Sequence, residues 1–131
     1  MKITVDTNVL VRTVVHDDPI QAAVAETHLH KASVIAVSIP TLCEFVWVLR
    51  RVYRFDPGDI SLAIRALLDT ENLAVNRPAA EAGLAILDAG GDFADGAIAH
   101  EGNWLGGEIF VSFDRQAVSL LAAQGQAATL L

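Results

Sequence analysis

The chain has 131 residues, 53% of them apolar, a single cysteine and a formal net charge of −7. This length suits one compact domain spanning residues 1–131, and no apolar run reaches the roughly 18 residues of a membrane span. The acidic balance argues against a bare chain that holds nucleic acid by charge alone. Cys43 has no internal disulfide partner and reads as a small buried helix residue. The segment Met1–Asp6 turns acidic too soon for a signal peptide, so the expected compartment is the reducing cytoplasm.

Residues 2–6 read as a short buried strand. Asn8 to about Val15 follows as a turn or two of helix, closed by His16-Asp17-Asp18-Pro19. Pro19 suits a helix N-terminus, with Gln21 to Lys31 helical. Ser33 to Val37 is a second apolar strand, and Pro40 to Tyr53 a long helix. Asp56, as N-cap, and Pro57, at the first helical position, start a helix that runs to about Asp69. Leu73 to Val75 is a third strand. The helix from Arg77-Pro78 to about Ala89 is stopped by Gly90-Gly91. Phe93 to about Trp104 is helical, Ile109 to Val111 is a fourth strand, and Asp114 to about Ala123 is the last helix. Ala127 to Leu131 is expected as a final edge strand. Helices alternating with short apolar strands predict an α/β fold, a central parallel sheet with helices on both faces. Ligands of such sheets bind beyond the carboxyl ends of the strands, where Asp6 and Asp114 fall.

Four acids stand out: Asp6, Glu44, Asp95 and Asp114. Asp6 ends Ile3-Thr4-Val5, Glu44 interrupts an apolar stretch from Leu42 to Leu49, and Asp114 follows Ile109-Phe110-Val111. A carboxylate in apolar company is costly to keep ionised without a partner or a cation. Each acid has a plainer reading. Asp114 could only cap a helix, Asp95 could only favour the helix dipole, and Asp6 could form an Asx turn. Glu44 looks buried, and a pair with Arg51, two helical turns away, is not expected. Taken together, the four suggest one shared site for Mg²⁺ or Mn²⁺, ions that prefer oxygen donors and serve phosphoryl chemistry. Asp92, Asn8 and Ser112 are expected to support these acids, although each could be an ordinary cap or turn residue. The histidines show no zinc spacing, and no glycine-rich phosphate loop is present. Among the few basic residues, Arg12, Arg51 and Arg115 lie near an acid by sequence or helix phase. They are the candidates for gripping a phosphate backbone, with Arg54 further round the helix from Glu44.

These segments resemble a PIN-domain ribonuclease, specifically the VapC-type toxin of bacterial toxin–antitoxin pairs. The resemblance rests on Val5-Asp6-Thr7-Asn8-Val9-Leu10-Val11-Arg12, on Asp17-Asp18-Pro19 and on Glu44-Phe45-Val46-Trp47-Val48-Leu49. It continues through Asp92-Phe93-Ala94-Asp95-Gly96-Ala97-Ile98-Ala99 and Ser112-Phe113-Asp114-Arg115. It implies a three-layer α/β sandwich and an acid cluster, Asp6, Glu44, Asp95 and Asp114, that binds Mg²⁺ or Mn²⁺. It further implies endonucleolytic cleavage of RNA, a cognate antitoxin and a homodimer. Gly96 stands where the family commonly has a larger residue, which implies a looser helix start. Two rivals remain. A receiver-type phospho-acceptor would need a lysine near the last strands, and the lysines here are Lys2 and Lys31. A non-catalytic binding module would have less use for all four acids.

Overall fold

The computed structural model describes residues 1–131 and holds seven helices and five strands, with every strand pairing parallel. The chain is therefore of the α/β class. It separates into two compact units, residues 1–76 and 77–131. No helix is long and apolar enough to cross a membrane.

In the first unit, strands β1 (Lys2–Thr4), β2 (Val34–Ala36) and β3 (Leu73–Ala74) form a sheet in that order. Ile3 lies opposite Ile35, and Ile35 opposite Leu73. The ladder continues one residue beyond the strands, where Val5 N–H donates to the Ala36 carbonyl and Val37 N–H to that of Ala74. Helices α1 (Thr7–Val14) and α2 (Pro19–Lys31) connect β1 to β2. Helices α3 (Ile39–Arg51) and α4 (Pro57–Leu68) connect β2 to β3. Proline opens α2 and α4, where a missing N–H costs nothing. Asp18 and Ser38 cap α2 and α3 by accepting from Gln21 N–H at 3.0 Å and Thr41 N–H at 3.3 Å. Asp56 occupies the cap position of α4 but makes no side-chain cap bond.

The apolar faces follow the helical period. Helix α1 buries Thr7, Leu10 and Val11, and α3 buries Ile39, Leu42, Phe45, Val46 and Leu49. Asn72 ties the end of α2 to the start of β3 by donating to the carbonyls of Leu29 and Ala32. Helix α3 ends in a left-handed turn. Arg54 has φ of 60°, and Phe55 N–H reaches back to the Leu49 carbonyl.

The second unit comprises α5 (Arg77–Asp88), α6 (Phe93–Trp104), β4 (Phe110–Ser112), α7 (Arg115–Ala123) and β5 (Ala128–Leu130). Strands β4 and β5 pair in parallel with Val111 opposite Thr129. Ile86, Ala99 and Leu121 form a buried cluster, with Phe110, Leu120 and Ala128 packed on it. Gly90, at φ 97°, turns the chain out of α5.

Small residues let α5 and α6 pack closely. A Cβ on Gly83 would lie 2.6 Å from Phe93 Cε2, and Phe93 is fully buried. A Cβ on Gly96 would overlap the Ala82 carbonyl oxygen and sit 2.9 Å from Gly83 Cα. The α6 start is therefore tight, not loose as expected from a glycine at that position. The reason is that its neighbour there is backbone, which cannot rotate away.

This geometry separates two glycines of one helix. Gly96→Ala should lower the melting temperature, because overpacking costs about 1–3 kcal/mol. That exceeds the roughly 0.8–1.0 kcal/mol of helix propensity gained. Gly102, with no neighbour within 4 Å of an added Cβ, should instead be stabilised by alanine. Thermal unfolding of the two variants reads the contrast.

Candidate functional site

Asp6 follows β1 and is the N-cap of α1. Its Oδ1 accepts from the Thr7 N–H at 2.7 Å. An N-cap side chain usually accepts from the second or third helical residue. Here the carboxylate is instead held back against the first. Thr7 is buried, and its hydroxyl donates to Glu44 Oε2 at 3.0 Å, linking the start of α1 to the second turn of α3. The first unit thus holds Asp6 and Glu44 through one residue. Asn8 is exposed on the first turn of α1.

Glu44 is exposed, which corrects the expectation of a buried acid. The buried stripe of α3 runs through Leu42, Phe45, Val46 and Leu49. Glu44, Trp47 and Arg51 fall at the opposite phases. Trp47 is 59% exposed, so its apolar character had disguised a solvent-facing stripe. Cys43, expected to be buried, is half-buried at the margin between the two faces.

In the second unit, Asp92 caps α6 by accepting from Ala94 N–H at 3.2 Å. Asp95 lies in the first turn of the same helix and is half-buried. Asp114 follows β4 and caps α7, accepting from Ala117 N–H at 3.1 Å. Its own N–H donates to Ser112 Oγ at 2.9 Å, so the serine hydroxyl fixes the turn that carries the acid. Burial, then the charges of Asp92 and Asp114, hold the Asp95 carboxyl above the usual carboxylate range. Burial and both neighbouring acids outweigh the favourable dipole at the start of α6.

Among the arginines, Arg51 and Arg115 are exposed. Arg12 is engaged within the protein. Its Nε donates to Gln21 Oε1 at 2.8 Å, and Nη1 donates to Asp17 Oδ1 at 2.8 Å and to Tyr53 OH at 3.2 Å. Tyr53 in turn donates to Asp17 Oδ2 at 3.0 Å. The Tyr53 hydrogen bond, followed by the nearby acids, stabilises the charged guanidinium. This closed ring straps α1 to the start of α2 and the end of α3.

Two partners escaped the sequence reading. Thr7 could have been found by phase, since it shares the stripe of Leu10 and Val11. Tyr53, 41 residues from Arg12, carried no local signal.

Neither unit by itself gathers three or more His, Cys, Asp or Glu side chains in a group that could hold a metal ion. The donor chemistry still suits a hard cation. The acids offer only oxygen, and a carboxylate has about four lone-pair positions, so one capping bond does not exhaust it. Asp95 in particular carries a charge that its neighbours oppose and a cation would relieve.

Fold and site together define a parallel α/β protein with carboxylates at or near its helix starts. The model of the PIN domain family matches residues 3–120, a span that includes all four acids. The chain belongs to the PIN-domain family, whose members are generally nucleases and typically use divalent metals. No curated protein matches the chain.

The raised Asp95 carboxyl makes stability depend on pH. The folded protein takes up this proton more readily than the unfolded chain. Stability from this group is therefore greatest below the ordinary carboxylate range, and is lost as pH rises to the raised folded value. Asp95→Asn removes the charge and keeps the shape. It should raise the melting temperature at neutral pH, leave it unchanged in strong acid and flatten the slope between. Melting curves across the acid range test this.

Proposed function

We propose that this protein is a metal-dependent endoribonuclease acting as the toxin of a toxin–antitoxin pair, of the VapC type. Asp6, Glu44, Asp95 and Asp114 are the carboxylates that would hold Mg²⁺ or Mn²⁺. The observation that carries the reading is Asp95, a half-buried acid whose charge is opposed by burial and by Asp92 and Asp114. Such a destabilised group in a family of nucleases marks a functional site more readily than a structural one. When bound, the metal lowers the pKa of water and stabilises charge on phosphoryl oxygens.

The chain's own residues orient and grip. The Thr7 hydroxyl and N–H fix Glu44 and Asp6, and Ser112 fixes the Asp114 turn. Asn8 lies two residues after Asp6, and Asp92 caps α6 three residues before Asp95. Arg51 and Arg115, both exposed, supply local positive charge for the RNA backbone against the overall charge of −7. Arg12 contributes by holding α1 in place through Asp17 and Tyr53, since these partners occupy its guanidinium.

Purified protein should cleave single-stranded RNA with Mg²⁺ or Mn²⁺ and stop on chelation. Asp6→Asn and Asp95→Asn should each lose at least about a hundredfold in activity while melting no lower than wild type, since each interaction lost is one on which catalysis depends. Full activity in both variants would remove the assignment.

The toxin reading includes a partner. A short antitoxin and a homodimer are expected, with a basic side chain of the antitoxin entering among the acids. Co-expression with the product of the adjacent small gene should give a stable complex in which RNA cleavage is silenced. Light scattering should give a dimer for the free protein. An active monomer that co-purifies with nothing would count against both.

A further inference from the structure

We propose that Thr7 is a positioning residue that sets the orientation of Asp6 and Glu44 together, and so tunes the affinity of these acids for a divalent cation. The inference rests on the metal-dependent nuclease reading and adds to it the residue that arranges two of its acids.

Three observations support it. Thr7 is 5% exposed and sits on the apolar stripe of α1 with Leu10 and Val11, whereas Asp6 and Glu44 are exposed. Its two donors go to two different carboxylates, the N–H to Asp6 Oδ1 at 2.7 Å and the hydroxyl to Glu44 Oε2 at 3.0 Å. The Asp6 bond is made from the first helical N–H, so this acid is turned toward the same residue that holds Glu44.

Stability alone does not call for this arrangement. An exposed glutamate can hydrogen-bond to water, so it has no need of a protein donor. A buried position on an apolar stripe is better filled by valine, which has the shape of threonine without a hydroxyl to desolvate. The hydroxyl is nevertheless present and aimed at the acid. What it supplies is order: a glutamate 37 residues away in sequence and the adjacent Asp6 are referred to one rigid point at a helix start. Residues that orient metal-binding carboxylates in this way commonly change metal affinity by about 10–100-fold when removed.

The test compares Thr7→Val, which keeps shape and loses the hydroxyl, with Thr7→Ser, which keeps the hydroxyl. Mn²⁺ affinity is read from the free-ion electron paramagnetic resonance signal. The side-chain carboxyl ¹³C shift of Glu44 is read in the metal-free protein, and melting is recorded for each. The expected result is a loss of Mn²⁺ affinity of about tenfold or more in Thr7→Val with melting close to wild type. Thr7→Ser should bind Mn²⁺ nearly as wild type, and the Glu44 signal should move in the valine variant only. Equal Mn²⁺ affinity in wild type and Thr7→Val overturns the role of Thr7 and leaves the nuclease reading standing. So does a serine variant as impaired as the valine one. Wild-type protein that binds no Mn²⁺ overturns the nuclease reading itself, and with it the purpose assigned to the pair. An unmoved Glu44 signal in Thr7→Val overturns the coupling whatever the metal does.

Discussion

The first N–H groups of a helix have no partner within it, and the helix dipole leaves partial positive charge at that end. A parallel strand that runs directly into a helix brings this unmet demand to the carboxyl end of the strand. Asp6 after β1 and Asp114 after β4 meet it with carboxylates, and Ser38 after β2 meets it with a hydroxyl. Asp92 does the same at the start of α6. Folding therefore places acids where an open α/β sheet presents its ligand-binding edge. A cap uses one oxygen of a carboxylate and leaves the rest of its capacity for chemistry. Capping therefore fixes where such an acid stands and is compatible with the catalytic role proposed for it.

Glu44 and Asp95 are different, because capping does not account for them. Glu44 lies on the solvent-facing stripe of α3, where any polar residue would serve, yet it is tied to the buried Thr7. Asp95 gains from the dipole of α6 but is half-buried near two like charges. A chain selected for stability alone would replace it with a neutral residue. Departures from local consistency of this kind concentrate at functional sites.

The elements were legible because their signals are local. Pro19, Pro57 and Gly90 punctuate the chain by backbone geometry, and Phe93–Trp104 was placed correctly at both ends. Strand ends shifted by a residue or two, as at β3, because pairing with β2 and not propensity decides where a ladder stops. Glu44 was misplaced for a different reason. Its neighbours Trp47 and Val48 are apolar, and composition suggested burial, whereas the phases of Leu42, Phe45 and Leu49 already faced the other way. The Arg12 ring was beyond reach. Its partners lie 5, 9 and 41 residues away, and only the folded first unit brings Tyr53 to Asp17. The importance of Gly96 was hidden likewise, since the backbone it touches belongs to another helix.

The two units control their acids by opposite means. In the first, the carboxylates are exposed, and a buried threonine supplies their geometry by hydrogen bonds. In the second, close packing at Gly83 and Gly96 draws the start of α6 against α5, and Asp95 is partly desolvated as a consequence. Its position is fixed by backbone contact, so geometry is already given and charge is what remains uncompensated. On the proposed reading a cation would supply that compensation to Asp95, and would be the ligand for which Asp6 and Glu44 are ordered. A glycine in one unit and a threonine in the other, neither able to bind metal strongly, thus set the terms on which the acids would do so.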